Sequence, residues 1–389
     1  MPAWPVPFSG RESSLALVET WLFGAGADRI AWLRDARSGQ LVWHESLGSA
    51  KGGAAQPHYP QVIAAGGRVL FGGGDGDPTG EVVALCAADG KRLWVRALPG
   101  EEVHEVAVLD DVVAVATSDF IFGLSVTAGD ILWKTKIPHG REILSRSELF
   151  ILQHGEGNEA VAGLDCKTGK ILWSERIKGV NALHVSAFND LVHVAGSLFA
   201  VQEQQDGTSL FVGTQGVVRA ISASSGRMVW TRALPPMETT SALATENFLY
   251  LPCDGKLIAL RSDTGETAWS VSLPDSPLSL LIQDGLLIFT FSQGLEGETY
   301  PAFALDPQTG KEQWRASGEK IPYGVRPGPQ GVMLAGTDGP KLAAVDTANG
   351  ETIWSTPIRG SVQVVGEDLV YVYDWSNLVV YDAATGDVL

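Results

Sequence analysis

One signature recurs nine times along the chain: a small or acidic residue, then Gly, then a short apolar stretch with Trp four residues after the Gly. The pairs are Gly39–Trp43, Gly90–Trp94, Gly129–Trp133, Gly169–Trp173, Gly226–Trp230, Gly265–Trp269, Gly310–Trp314 and Gly350–Trp354, with Gly386 opening a ninth turn. With 45 Gly and 12 Trp in 389 residues, chance would supply about 1.4 such pairs, so the period is a property of the fold. A chain built this way must bury one repeat against the next, which excludes most single-core architectures.

The fuller copies read GLDCKTGKILW, ALDPQTGKEQW and AVDTANGETIW, an alternating strand, a tight turn and a second strand. Asp at the position four before Gly (Asp35, Asp165, Asp306, Asp346, Asp382) closes the turn through its own carboxylate, and Gly accepts the positive φ the turn requires. Trp43, Trp94, Trp133, Trp173, Trp230, Trp269, Trp314 and Trp354 each offer a flat apolar face to a neighbouring copy and an indole N–H to a backbone carbonyl. These eight are read as structural residues.

Between the Trp hairpins lies a second unit, two apolar strands joined by a polar pair: Gly66-Gly67, Asp110-Asp111, Ser147-Glu148, Asp284-Gly285, Gln330-Gly331 and Glu367-Asp368. Each repeat therefore has four strands. The anchor glycines are 51, 39, 40, 57, 39, 45, 40 and 36 residues apart, which is the length of one four-stranded propeller blade and leaves no helical solenoid.

The pattern A-[LV]-D-x-x-T-G-x-x-x-W, carried with small departures by residues 163–173, 304–314 and 344–354, resembles the tryptophan-docking repeat of the quinoprotein-like (PQQ-repeat) β-propeller superfamily. The resemblance covers nearly the whole chain. It implies an all-β fold, an eight-bladed β-propeller of four-stranded antiparallel blades, closed by N- and C-terminal strands. Superfamily members include pyrroloquinoline quinone dehydrogenases, an outer-membrane assembly lipoprotein and sensor domains attached to kinases, so the repeat identifies a fold and leaves the activity open.

Residues 1–389 are expected to form a single propeller domain, with 1–35 a segment of uncertain placement. Residues 360–384 supply three strands, and Leu41 to Ser46 is expected to complete that last blade, which removes an open sheet edge. Residues 14–35 are then surplus strand-like material. In the 57-residue interval, Ala182 to Val194 and Phe199 to Val212 both resemble an inner hairpin, and one of them is expected to be an insertion.

Composition narrows the partners. Forty-five acidic residues against 28 basic ones give a net charge of −17, which repels phosphate backbones and argues against nucleic acid. No apolar run reaches the roughly 18 residues a bilayer crossing needs, so no membrane insertion is expected. Met1 to Ser14 shows neither a basic n-region nor an apolar h-region; the expectation is a soluble cytoplasmic protein, or a periplasmic one from which a signal peptide has been removed. Cys86, Cys166 and Cys253 are odd in number and far apart, which suggests neither a disulfide framework nor a zinc knot.

A site is expected at one end of the channel. The segments leading into the innermost strands and the loops between second and third strands share one face, and three of those loops, Gly72 to Glu81, His154 to Glu159 and Gln293 to Tyr300, are enlarged, acidic and Gly-rich. Five of the seven histidines fall there. His58, Tyr59, Glu101, His104, His139, Arg141, Glu142, His184, Tyr323 and Arg326 are the candidate ligand-binding residues of this funnel, a mix of charge and titratable groups suited to a small molecule or peptide. Solvated channel mouths also collect polar residues with no ligand.

Asp75 and Asp77, in Asp75-Gly-Asp77-Pro-Thr79-Gly80, resemble the start of a calcium loop; Cys86 then stands where the bidentate Glu belongs. Calcium is the metal the sequence hints at, and no cofactor is firmly implied. A PQQ-dependent dehydrogenase is disfavoured because the adjacent cysteine pair that many of those enzymes carry beside the quinone is missing. No Gly-x-Ser-x-Gly, His-Glu-x-x-His or Gly-Lys-[Ser/Thr] motif occurs, so hydrolase and nucleotide readings lack a signature. The leading reading is a non-catalytic scaffold that binds a protein or small-molecule ligand; the alternative is a cofactor-independent lyase, cyclase or hydrolase working in the funnel.

Overall fold

The computed structural model describes residues 12–26, 29–47, 61–72, 80–98, 103–138, 140–154, 160–176, 180–203, 209–237, 242–274, 277–291, 302–316, 324–336, 341–358, 360–366, 368–373 and 378–389. They form nine antiparallel meander sheets. In chain order these blades span 12–46, 61–97, 103–136, 140–176, 180–234, 243–272, 277–315, 325–357 and 361–382. Blades 1 to 8 have four strands and blade 9 has three. Among the described residues no helix is long and apolar enough to cross a membrane.

The count corrects the eight-bladed expectation. Glu12–Val18 and Trp21–Gly26 pair with each other and then with Ile30–Asp35, so residues read as surplus build a blade of their own. Leu41–Ser46 is the outermost strand of that same blade and is not available to the last one. Blade 9 keeps three strands, with a single further bridge between Tyr381 and Val388. The ring closes by packing: the innermost strand of blade 1 lies against those of blade 2 and blade 9.

The 57-residue interval also resolves differently. Val180–Phe188 pairs with one long strand, Leu191–Glu203, which pairs along its whole length with Ser209–Ser222. Both candidate hairpins belong to one ribbon of blade 5, whose second and third strands run on beyond their neighbours.

Among the described residues there is no central core. Nine apolar clusters occupy the nine seams between adjacent blades, from Phe23, Leu33 and Trp43 against Val69 and Phe71 at seam 1/2 to Leu22 and Trp32 against Tyr371 and Val380 at seam 9/1. Burial is therefore repeated around the ring, which suits a sequence whose apolar alternation is similar in every blade.

The Trp hairpin is the unit that sets each seam. Every one of the eight indoles donates from Nε1 to the carbonyl three residues before the turn glycine of the following blade, at 2.6–3.0 Å: Trp43 to Ala87, Trp94 to Val126, Trp133 to Cys166, Trp173 to Ala223, Trp230 to Ser262, Trp269 to Pro307, Trp314 to Thr347 and Trp354 to Ala383. The ring lies over that glycine so closely that a Cβ on Gly310 would sit 2.6 Å from Trp269 Cε3. Glycine is thus required twice, for its φ of 70° and for the space its missing side chain leaves.

Inside the turn the Asp carboxylate does the closing. Asp165 Oδ1 accepts from the amide and the hydroxyl of Thr168, both at 2.7 Å, and Asp306 does the same with Thr309 at 2.8 and 2.9 Å. The donated hydroxyls, with the amides, hold both carboxyls below the usual carboxylate range.

Candidate functional site

The channel wall is stitched by side chains of the innermost strands. Gln61 of blade 2 donates from Nε2 to Glu105 Oε1 at 3.2 Å and accepts from the Val106 amide at 2.8 Å, both in blade 3. Ser145 of blade 4 donates to the Val108 carbonyl at 3.0 Å, and the Val325 amide of blade 8 donates to Ser279 of blade 7 at 2.9 Å. Such cross-blade bonds hold the inner strands at fixed spacing, which makes the channel a rigid platform.

Of the predicted funnel residues, His104, His184 and Arg326 are described in full. His104 stands on the innermost strand of blade 3, with Nε2 3.3 Å from Ser118 Oγ at the adjoining turn. His184 stands on the innermost strand of blade 5, where burial lowers its pKa. Arg326, exposed, pairs in register with Leu334 in blade 8. Arg141 and Glu142 lie on the innermost strand of blade 4, but their side chains lie outside the described residues. His58, Tyr59, Glu101, His139 and Tyr323 are outside them altogether, as are Asp75 and Asp77.

His154, at the end of the second strand of blade 4, pairs in register with Ala160, which pairs with Arg176. Burial lowers its pKa, and the Arg176 guanidinium adds to the effect. The histidines thus sit on three consecutive blades, 3, 4 and 5, each with its own surroundings. Among the described residues no three His, Cys, Asp or Glu side chains gather as a metal site. Cys86, Cys166 and Cys253 belong to blades 2, 4 and 6 and are free thiols.

A cavity of about 1060 Å³ opens on the opposite face, where the hairpin turns of blades 8, 9 and 1 converge. Glu19, Arg37, Gln330 and Asp368 line its rim, and Leu17, Leu369 and Tyr371 line its floor. Arg37 and Asp368 form an ion pair across the closing seam, and both are more than half exposed, so the pair adds little to stability. The Tyr371 hydroxyl donates to the Ala36 carbonyl at 2.8 Å. Ala36 stands three residues before Gly39, the position that takes an indole N–H at every other seam. At this seam the donor to that position is a tyrosine from the second strand of blade 9. Sequence reading missed it because Tyr371 lies in an ordinary apolar strand, LVYVY, with no motif around it.

The outer rim is uneven. The two residues that begin each outermost strand are exposed and apolar in blades 1, 3, 4 and 5, namely Leu41-Val42, Ile131-Leu132, Ile171-Leu172 and Met228-Val229, and blade 2 exposes Leu93 and Val95. Blades 6 and 7 carry Thr267-Ala268 and Glu312-Gln313 there. The apolar arc thus covers blades 1 to 5, with Ile353 of blade 8 and Val388 after blade 9 exposed singly beyond it.

A closed ring of meander sheets locked by Trp-to-turn contacts defines a β-propeller of the PQQ-repeat class. The profile of the family described as outer membrane protein assembly factor BamB matches residues 27–271 and 302–389, and the chain belongs to that family. Relatives include outer membrane protein assembly factor BamB of Yersinia pestis, 25% identical over 65% of this chain and 64% of its own, and that of Burkholderia pseudomallei, 28% identical over 60% of each. Tetrathionate hydrolase of Acidithiobacillus ferrooxidans is 23% identical over 78% of this chain and 66% of its own. The chain spans between 60% and 66% of the length of these three relatives.

Solved structures agree on the fold. BamB from Moraxella catarrhalis superposes with a TM-score of 0.53 at 16% identity, covering 96% of this chain and 99% of its own. A quinohemoprotein alcohol dehydrogenase from Pseudomonas putida HK5 gives 0.53 at 13% identity, over 98% and 72%.

Proposed function

We propose that the chain is a non-catalytic protein-binding scaffold that works in the cell envelope. The observation that carries this is the family match, which runs through blades on every side of the ring and not through one shared loop. Relatives bearing the name of an outer membrane assembly factor favour a protein partner and favour the periplasmic over the cytoplasmic alternative. The architecture supports the same reading: inner strands bonded blade to blade give a rigid disc, and rigid surfaces bind with little ordering cost.

For a small molecule we propose the funnel, with His58, Tyr59, Glu101, His104, His139, Arg141, Glu142, His184, Tyr323 and Arg326 as the candidate residues. A second reading, an enzyme using that funnel, draws on the tetrathionate hydrolase relative. Native mass spectrometry of the protein purified gently from its own host separates the two. A stoichiometric protein partner beyond the 41.3 kDa chain is the expected result. A chain that carries only a small molecule, or that consumes tetrathionate on addition, overturns the scaffold reading. If a small molecule is held, changing His104 and Arg141 together abolishes it without lowering Tm.

A further inference from the structure

We propose that the outermost strand of blade 3, Ile131–Lys136, is a docking edge that takes an extended, acidic and apolar segment of a partner protein as an added antiparallel or parallel strand. This deepens the scaffold reading and rests on it.

The charge distribution is the first observation. The chain as a whole carries −17, yet the outermost strands of blades 2 to 5 carry Arg92, Arg96, Lys134, Lys136, Arg176 and Arg232 against one acid, Glu175. Part of that charge is already used. Arg92 reaches Glu45 and the Ser46 carbonyl, Arg96 reaches the Gly129 carbonyl and Asp130, and Arg232 donates to the Gly265 carbonyl at 2.7 Å. Glu175 is taken by Arg219. The local carboxylates Asp130 and Glu175 are thus occupied, while Lys134, Lys136 and Arg176 remain as exposed cations at the centre of the arc.

The second observation is the order of residues along the strand. Leu132, Lys134 and Lys136 alternate along one face, and Trp133 and Thr135 face the next blade, where the Trp133 indole donates to Cys166 O and the Thr135 hydroxyl to Gly169 O. Leu132 is 51% exposed. Lys134 is held over the Phe120 ring at 3.5 Å, which fixes its ammonium at the strand surface. Blade 4 repeats the order with Leu172, Ser174 and Arg176. In blades 2 and 5 the same face reads Leu93-Val95-Ala97 and Val229-Thr231-Ala233, uncharged throughout.

The third is the open edge. Among the described residues, 131–136 pair only with Phe120–Ser125, with a bulge at Leu132. A strand of six residues spans about 20 Å and matches a segment of similar length. Backbone pairing supplies affinity, an apolar residue opposite Leu132 supplies contact, and acids opposite Lys134 and Lys136 supply sign and register. Against the net charge of −17, the cations of this strand and its neighbour give an acidic segment a favourable place to be steered.

The test uses the full chain and a peptide of about eight residues alternating Val and Glu, with its Val–Lys counterpart as control. Saturable binding of the Val–Glu peptide by fluorescence anisotropy is expected, with slowed amide exchange confined to residues 131–136 and neighbours. Leu132→Ser with Lys136→Glu, two exposed positions, is expected to weaken binding by about tenfold or more at unchanged Tm. Gln313→Glu in blade 7 leaves binding unchanged. No binding, equal binding of the Val–Lys peptide, or protection elsewhere overturns the proposal. So does self-association that the double variant abolishes, because the occupant is then a second copy. A partner captured from the host that cross-links to the channel faces refutes the rim and leaves the scaffold reading standing; a partner-free native chain refutes the scaffold reading itself.

Discussion

Two glycines of blade 7 separate what a turn demands of its backbone from what the seam demands of its space. Gly285 and Gly310 share φ values of 77° and 70°. A Cβ on Gly285 would meet nothing within 4 Å, whereas on Gly310 it would lie 2.6 Å from Trp269 Cε3 and 2.7 Å from Cδ2. Gly285→Ala should therefore cost only the left-handed backbone, about 1–2 kcal/mol. Gly310→Ala adds displacement of a Trp that is 9% exposed, about 1–3 kcal/mol of overpacking. It also adds the loss of its 3.0 Å bond to Pro307, about 1 kcal/mol. The difference, about 2–4 kcal/mol by the same reasoning, should appear in equilibrium denaturation followed by Trp fluorescence. Equal losses in the two variants would refute the claim that the turn glycine is there to receive the indole.

Tyr371→Phe should destabilise the ring by about 1–2 kcal/mol, since the Ala36 carbonyl loses its donor at a buried seam; Tyr250→Phe should cost less, because Trp269 still donates to Pro307. Comparable losses would show that the tyrosine does not close the ring. His193 is buried in blade 5, its Nε2 3.0 Å from the Ser262 carbonyl, and burial lowers its pKa. A depressed histidine favours the neutral form when folded, so stability present above about pH 6.5 falls as the pH drops below it. In His193→Phe that part of the slope between pH 7.5 and 5.5 should be smaller, and an unchanged slope would place the titration elsewhere. Asp165, its pKa lowered first by the Thr168 hydroxyl, contributes stability that is present above its ordinary pKa and lost as pH falls. Asp165→Asn should then be less sensitive to acid below about pH 4 than the parent chain, as measured by thermal melts.

Much of this architecture is legible in the chain because the information is local. The Gly-to-Trp spacing sits inside one hairpin, and the Asp that closes the turn lies four residues from its glycine, so both could be read with no knowledge of the neighbours. The same holds for the uneven rim: Ile131-Leu132 beside Thr267-Ala268 is a difference in printed letters. The funnel was less accessible, because its candidate residues come from five separate segments and their mutual distances depend on how wide the ring is.

Blade number is where local reading failed. Nine turn glycines were visible, yet the first and last were merged into one blade, because the letters of residues 12–26 do not say which strand they pair with. Pairing Glu12–Val18 with Trp21–Gly26 makes blade 1 complete and sends the ring to nine. Sequence alone determined the repeated unit, its turn and its docking indole, since each is set by contacts a few residues apart or between equivalent neighbours. Only the tertiary structure decided how many units close the ring and what closes it. The bond from Tyr371 to Ala36 joins positions 335 residues apart, and nothing between near neighbours in the chain encodes a meeting at that distance.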